Sequence, residues 1–359
     1  MLRKHLLFLL FISCFHISNA QYISAYEDNR NYFYVFENGF PRQLETAPVG
    51  KYKIAGNSML YVNNANELRV WYAGQKLEIG EAANTNLFAS ANLLYYTCIN
   101  TLSVIEKGNP IILSYFLREY KAGDNIIAFK DDRLEVLKVY YNGTIHEIEY
   151  TLSSALNKFD VGYNTMAFTN GSHDFKVFCE GEIYELATWE PDQFLCGKDM
   201  VAFIDGGSKQ FNLFYKDKII KLENFPPLSM QMGHSVLAYV SDENALKVFQ
   251  NGKLLKLEAF EPDFYKVKDD LLVFYCNQRF QVINNGVRYE LENAPPRSYV
   301  VSRNYMAYLD NAGRLKFFDN GKTNLVTTET VDSYEVNGDV LKYYVANNTA
   351  KIYWKGKNY

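Results

Sequence analysis

The sequence predicts an all-β fold assembled from about ten copies of one unit of roughly 35 residues, and three observations carry that prediction. The first is a recurrent turn, at Gly39, Gly74, Gly108, Gly143, Gly181, Lys218, Gly252, Gly286, Gly321 and Gly356. Its steps run from 34 to 38 residues, a period that means stacked copies of one supersecondary unit rather than a single closed core. The second is an excess of Tyr (29) and Phe (25) over Trp (3), and Tyr and Phe suit pleated, half-buried surfaces. The third is the chopping of the apolar residues into short runs between Gly, Asn, Asp and Pro, with no sustained helical spacing.

The seventh copy shows the elements in order. Val236-Leu237-Ala238-Tyr239 is strand A, and a polar Ser241-Asp242-Glu243-Asn244 loop leads to strand B, Leu246-Lys247-Val248-Phe249. Asn251-Gly252 turns the chain into strand C, Lys253 to Glu258, and Phe264 to Val267 is a fourth extended piece, D. Asn-Gly recurs at Asn38, Asn142, Asn251, Asn285 and Asn320. A type I′ turn needs positive φ at both central residues, which Asn tolerates and Gly accepts freely, so each B–C pair reads as a tight hairpin. Strand C repeatedly ends in Leu-Glu (Leu44-Glu45, Leu222-Glu223, Leu257-Glu258, Leu291-Glu292), and prolines then take the chain out of the ladder. Strand D reads aromatic-x-apolar and is often followed by Gly, as in Phe159-Asp160-Val161-Gly162. Asn57, Asn92, Asn125, Asn164, Asp199, Ser235, Asp270, Asn304 and Asp339 precede strand A, where a short acceptor side chain holds a tight connection.

Four short antiparallel strands per unit are the cues of β-propeller blades. The chain resembles the broad WD40-like group of propeller repeats in strand order and Asp-bearing turns, across essentially all of residues 21–359, although it lacks their Gly-His and Trp-Asp signatures and has shorter units. That span is expected to be a single domain; an open β-repeat array is the alternative. The tenth copy lacks room for its own C and D strands, so either the last blade is thin or a terminal unit lies outside the ring.

Residues 1–20 read as a secretory signal: Arg3 and Lys4, an apolar stretch from Leu6 to Ile12, then Ser18-Asn19-Ala20 as a cleavage site. The rival reading takes Phe11-Ile12-Ser13-Cys14 as a lipobox with Cys14 lipidated. The expectation is a periplasmic or extracellular protein without a transmembrane segment. Net charge is −4, more negative once Arg3 and Lys4 leave, with no long basic run, which argues against nucleic acid as a partner. Cys98, Cys179, Cys196 and Cys276 remain, and Cys98 and Cys276 occupy the same slot in distant copies. The chain is therefore expected to rely on packing rather than on disulfides.

No catalytic, metal or cofactor motif rises above the repeat. His146, His173 and His234 fall at three different phases, whereas a zinc site needs converging ligands. Asp28, Asp131, Asp205, Asp242 and Asp310 recur in the A–B loops, and a recurring residue satisfies shared backbone rather than a unique reaction. A site belongs where the repeat departs from itself. With strand A innermost, the D–A connections rim the channel, and there the candidate binding residues are Asp124, Tyr163, Lys198, His234, Asp269 and Arg303. The expected function is a binding or scaffolding propeller that engages a protein or surface glycan through one face. The alternative is a carbohydrate-active hydrolase or lyase with acids at the channel mouth.

Overall fold

The computed structural model describes residues 22–150 and 158–359; the leader and lipobox readings fall outside them. Ten antiparallel sheets follow one another along the chain and close into a ring of blades. The only helical turn among the described residues is a 3-10 turn, Ala346–Asn348, and no helix is long and apolar enough to cross a membrane.

The repeat is cut one strand earlier than the sequence suggested. Phe264–Lys268, read as the last strand of the seventh copy, pairs with Leu271–Cys276 and opens the eighth sheet. Each blade therefore runs D-A-B-C from the axis outward, and D, not A, is innermost. This frame resolves the uneven ends. Among the described residues blade 1 (Ser24–Glu27, Phe33–Glu37, Phe40–Glu45) has three strands and no D strand, while blade 10 has all four with a two-residue C strand, Lys357–Asn358. The sixth turn also moves: Lys216 and Asp217 hold positive φ, and Lys218 begins the following strand, so Asp217 occupies the glycine slot.

The core lies between neighbouring sheets. The A strands Thr165–Thr169, Met200–Ile204 and Val236–Val240 are buried at every residue, sandwiched between blades, whereas the outer strand Lys253–Lys256 is exposed throughout. Lysines on that outer edge discourage edge-to-edge pairing with other chains. The Leu-Glu endings lock one blade to the next. Tyr61 Oη donates to Glu45 at 2.8 Å and Arg69 Nη1 at 3.1 Å; Tyr239 Oη and Lys247 Nζ reach Glu223 at 2.7 and 2.5 Å; Tyr308 Oη and Lys316 Nζ meet Glu292 in the same way. The cysteines Cys98, Cys179, Cys196 and Cys276 are all free.

The A–B acids have the backbone role expected of them. Asp310 Oδ1 accepts from Ala312 N at 3.0 Å and Arg314 N at 2.9 Å, and Asp28, Asn63 and Asn170 repeat the pattern. In blade 7 the slot belongs to Ser241, whose hydroxyl accepts from Ala245 N at 3.3 Å, rather than to Asp242. Burial opposes the charge on Asp310, but the Arg314 N–H and the Lys316 and Arg314 side chains hold its carboxyl down at about 2. A carboxyl depressed in the folded state stabilises above its ordinary value of 3.8 and loses that contribution as pH falls through about 2. We expect the native protein to lose on the order of 1–2 kcal/mol here between about pH 4 and 2. Asp310→Asn should start less stable at neutral pH and show a shallower acid limb; identical acid limbs in urea melts would refute the assignment.

Candidate functional site

The two-residue D–A hairpins of blades 2 to 10 meet at the axis on one face, and the B–C turns lie on that same face further out. Backbone bonds rope the hairpin tips together: Asn125 N donates to Tyr163 O at 2.8 Å, Tyr163 N to Gly197 O at 3.0 Å, Lys198 N to His234 O and His234 N to Asp269 O, both at 2.6 Å. The residue before strand A adds side-chain links between neighbouring blades. Asn92 Nδ2 reaches Asn125 Oδ1 at 2.7 Å, Asn164 Nδ2 reaches Asp199 Oδ1 at 2.5 Å, and Ser235 Oγ reaches Asp270 Oδ1 at 2.6 Å. These side chains thus tie blade to blade, where the sequence suggested that each closed its own connection.

The six candidate residues are gathered at this rim. His234 Nε2 bonds Asp124, which comes from blade 4, three positions from blade 7 around the ring, and it lies 3.3 Å from Asp269 Oδ1. Tyr163 packs edge-on against the His234 ring with centroids 4.7 Å apart, and Lys198 Nζ sits over the Tyr163 ring at 5.4 Å. Arg303 donates from its backbone N to Asp269 Oδ2 at 2.8 Å and extends its guanidinium across the ring to Ala91 O at 2.9 Å and to Asn92. These bridges link blades that are not neighbours in the ring. His234 and Asp269 are buried, Asp124, Tyr163 and Arg303 half-buried, and Lys198 exposed, so the candidates divide into an inner cluster and an accessible rim.

Burial alone would lower the pKa of His234, but the carboxylates of Asp124 and Asp270 and the charge of Asp269 raise it to about 9. Burial pushes the other way on Asp124 and Asp270, and contact with His234 more than offsets it, holding both carboxyls below their ordinary range. The backbone is also under constraint. Asp269 (φ 52°) and Arg303 (φ 59°) hold the left-handed conformation that Gly56 and Gly338 supply in the same slot of blades 2 and 10. A side chain in that region costs about 1 kcal/mol or more relative to glycine, so both side chains stand where the backbone alone favours none. The sequence reading missed Asp270, taken as a turn residue, and Asn92; the adjacent Asp269-Asp270 pair, unlike any other tip, was the available signal.

Beside the cluster the rim opens into a cleft of about 600 Å³ across blades 2 to 4. Tyr22, Tyr72, Tyr140, Asn57, Asn125 and Arg303 stand along its walls. Tyrosine rings offer flat apolar faces with a polar tip, and asparagines offer paired donors and acceptors, which together suit a hydroxylated or peptidic ligand.

Ten radial sheets arranged about one axis define a propeller of the repeat-array type. The chain belongs to the 10-bladed beta propeller domain family, whose model matches residues 17–359. No curated protein matches it. Among solved structures it is similar to the CRINKLY WD40 ectodomain of the Arabidopsis thaliana receptor kinase ACR4, at 10% identity and TM-score 0.36, covering 75% of this chain and 90% of that one. It is also similar to a eukaryotic initiation factor, at 11% identity and TM-score 0.37, covering 77% and 91%. Prp20p from Saccharomyces cerevisiae aligns at 12% identity and TM-score 0.30, covering 77% and 74%.

Proposed function

We propose that this is an exported binding or scaffolding propeller that captures a protein or surface glycan on the face carrying the D–A hairpins. The observation that carries the reading is the cleft of about 600 Å³ joined to the rim at Tyr163 and Arg303. It lies where the repeat departs from itself, and left-handed backbone is retained there in place of glycine. Export rests on the Arg3-Lys4 leader and its Ser-Asn-Ala site.

Pull-down from an envelope fraction and a glycan array test it. Tyr163→Ala and Lys198→Ala should weaken capture at least tenfold, about 1.4 kcal/mol, while the melting temperature stays within a few degrees. Asn164→Ala should do the reverse, lowering stability by about 1 kcal/mol through its lost link to Asp199 and sparing capture by the folded fraction. Capture that survives both rim variants unchanged refutes the face assignment.

The hydrolase or lyase reading draws on one observation, that Asp124, Asp269 and Asp270 share the rim. Asp124 and Asp270 are held below the ordinary carboxylate range, however, which leaves them without the proton a general acid must donate at neutral pH.

A further inference from the structure

We propose that Asp124, His234 and Asp269 form a binding site for a divalent transition cation, of which Zn²⁺ is the best fit. One ligand atom from each residue, His234 Nε2 and one carboxylate oxygen from Asp124 and from Asp269, falls within 4.8 Å of the others. An imidazole nitrogen with two carboxylate oxygens is a borderline donor set that suits zinc. The three ligands come from blades 4, 7 and 8, so the ion would staple strands that are remote in sequence.

Observations outside the triad point the same way. Both carboxylates are aimed by backbone donors: Ala91 N holds Asp124 Oδ1 at 2.7 Å and Arg303 N holds Asp269 Oδ2 at 2.8 Å, which leaves the opposite oxygens turned toward Nε2. On the far side of the imidazole, Nδ1 is buried without a hydrogen-bond partner, 3.5 Å from Asp270 Oδ2, and Asp270 is itself fixed by Ser235 Oγ. A carboxylate behind the second ring nitrogen is the arrangement that orients metal-binding histidines and strengthens them as ligands. The triad also borders a cavity of about 240 Å³ lined by Ala122, Val161, Met232 and Val267, which gives a path inward and room for water on the open side of the ion. Lys268 Nζ lies 3.3 Å from Asp269 Oδ1, but its side chain is exposed and can withdraw. With three protein ligands and one open face, such an ion could also accept an oxygen from a bound partner.

The test uses Zn²⁺ and Co²⁺ alone with the purified, chelator-treated protein. We expect saturable uptake of one equivalent by titration calorimetry, visible absorption bands with Co²⁺, and a rise in melting temperature with Zn²⁺. Asp124→Asn and His234→Gln should each weaken binding more than about 100-fold, and Asp270→Asn, which removes only a positioning group, about 10- to 100-fold. Circular dichroism confirms that each variant is folded, and Asp242→Asn, in an exposed A–B loop on the opposite face, is the control. Folded wild-type protein that takes up neither ion at about 1 mM overturns the proposal and makes the cluster a hydrogen-bonded imidazolium. Uptake that persists undiminished in both ligand variants overturns it equally.

Discussion

Replacing Gly162 by alanine is expected to destabilise the protein by about 3 kcal/mol or more, and Gly162→Val to abolish the folded ring. Gly162 sits at the end of the inner strand of blade 5, immediately before the tip residue Tyr163. A Cβ there would lie 2.3 Å from the carbonyl carbon of Cys196, 2.5 Å from its oxygen and 2.5 Å from Gly197 N, all backbone atoms of the next blade. Contacts that close cannot be relieved by a side chain turning aside. Gly123 and Gly233 stand in the same slot of blades 4 and 7, where a Cβ would meet Gly162 O at 1.7 Å and Asp269 O at 2.2 Å. The requirement is therefore proximity between inner strands. It is what allows the hairpin tips to exchange hydrogen bonds and to bring Asp124 within reach of His234. Gly207→Ala in an A–B loop, where the nearest atoms of a Cβ are side-chain atoms 3.5 Å or more away, is the control and should change stability by less than about 1 kcal/mol. Equal melting temperatures for Gly162→Ala and the native protein would show that the inner strands can spread without cost.

That glycine also shows how far a repeat can be read. The period made the strands, the tight turns and the D-strand glycines visible, because each was stated many times over. It also exposed the departures Asp124, Tyr163, Lys198, His234, Asp269 and Arg303, which the fold does gather on one rim. What a period does not fix is where to cut it. D-A-B-C and A-B-C-D are the same string until hydrogen bonds assign D to the following sheet. Interactions between copies were legible only in part: Glu45, Glu223 and Glu292 each find a Tyr 16 residues on and a Lys or Arg 24 residues on, a spacing that belongs to no single unit. Contacts between non-neighbouring blades, such as Arg303 with Ala91 or His234 with Asp124, depend on the curvature of the ring and leave no mark in sequence spacing.

Ring closure itself supplies the second large effect. Among the described residues no inner strand pairs with Ser24–Glu27 of blade 1, and side-chain donors from blade 10 serve carbonyls at this edge. Asn337 Nδ2 serves Ile23 O at 2.9 Å and Gly56 O at 3.0 Å, while Lys342 Nζ serves Ala25 O at 3.1 Å, Tyr52 Oη at 2.9 Å and Glu335 Oε2 at 2.9 Å. An ammonium group has three donors, and here all three are used, although the side chain is only 2% exposed. Burial opposes its charge, but Tyr52 and Glu335 outweigh that and raise its pKa, so it stays ionised. A raised lysine contributes its stability at and below its ordinary value of 10.5, hence across the whole neutral range. Lys342→Ala removes the links from blade 10 to blades 1 and 2 together and opens a cavity, for an expected loss of about 3 kcal/mol. Lys342→Met refills the volume without the donors and should recover only part of it. Lys342→Arg keeps the charge but presents a planar fork to three acceptors arranged around a point, and should also fall short of the native protein. Hydrogen exchange at Ser24–Glu27 locates the damage: faster exchange confined to that edge in Lys342→Ala marks an opened closure, whereas native exchange there would mean that the three-stranded blade holds without the lysine.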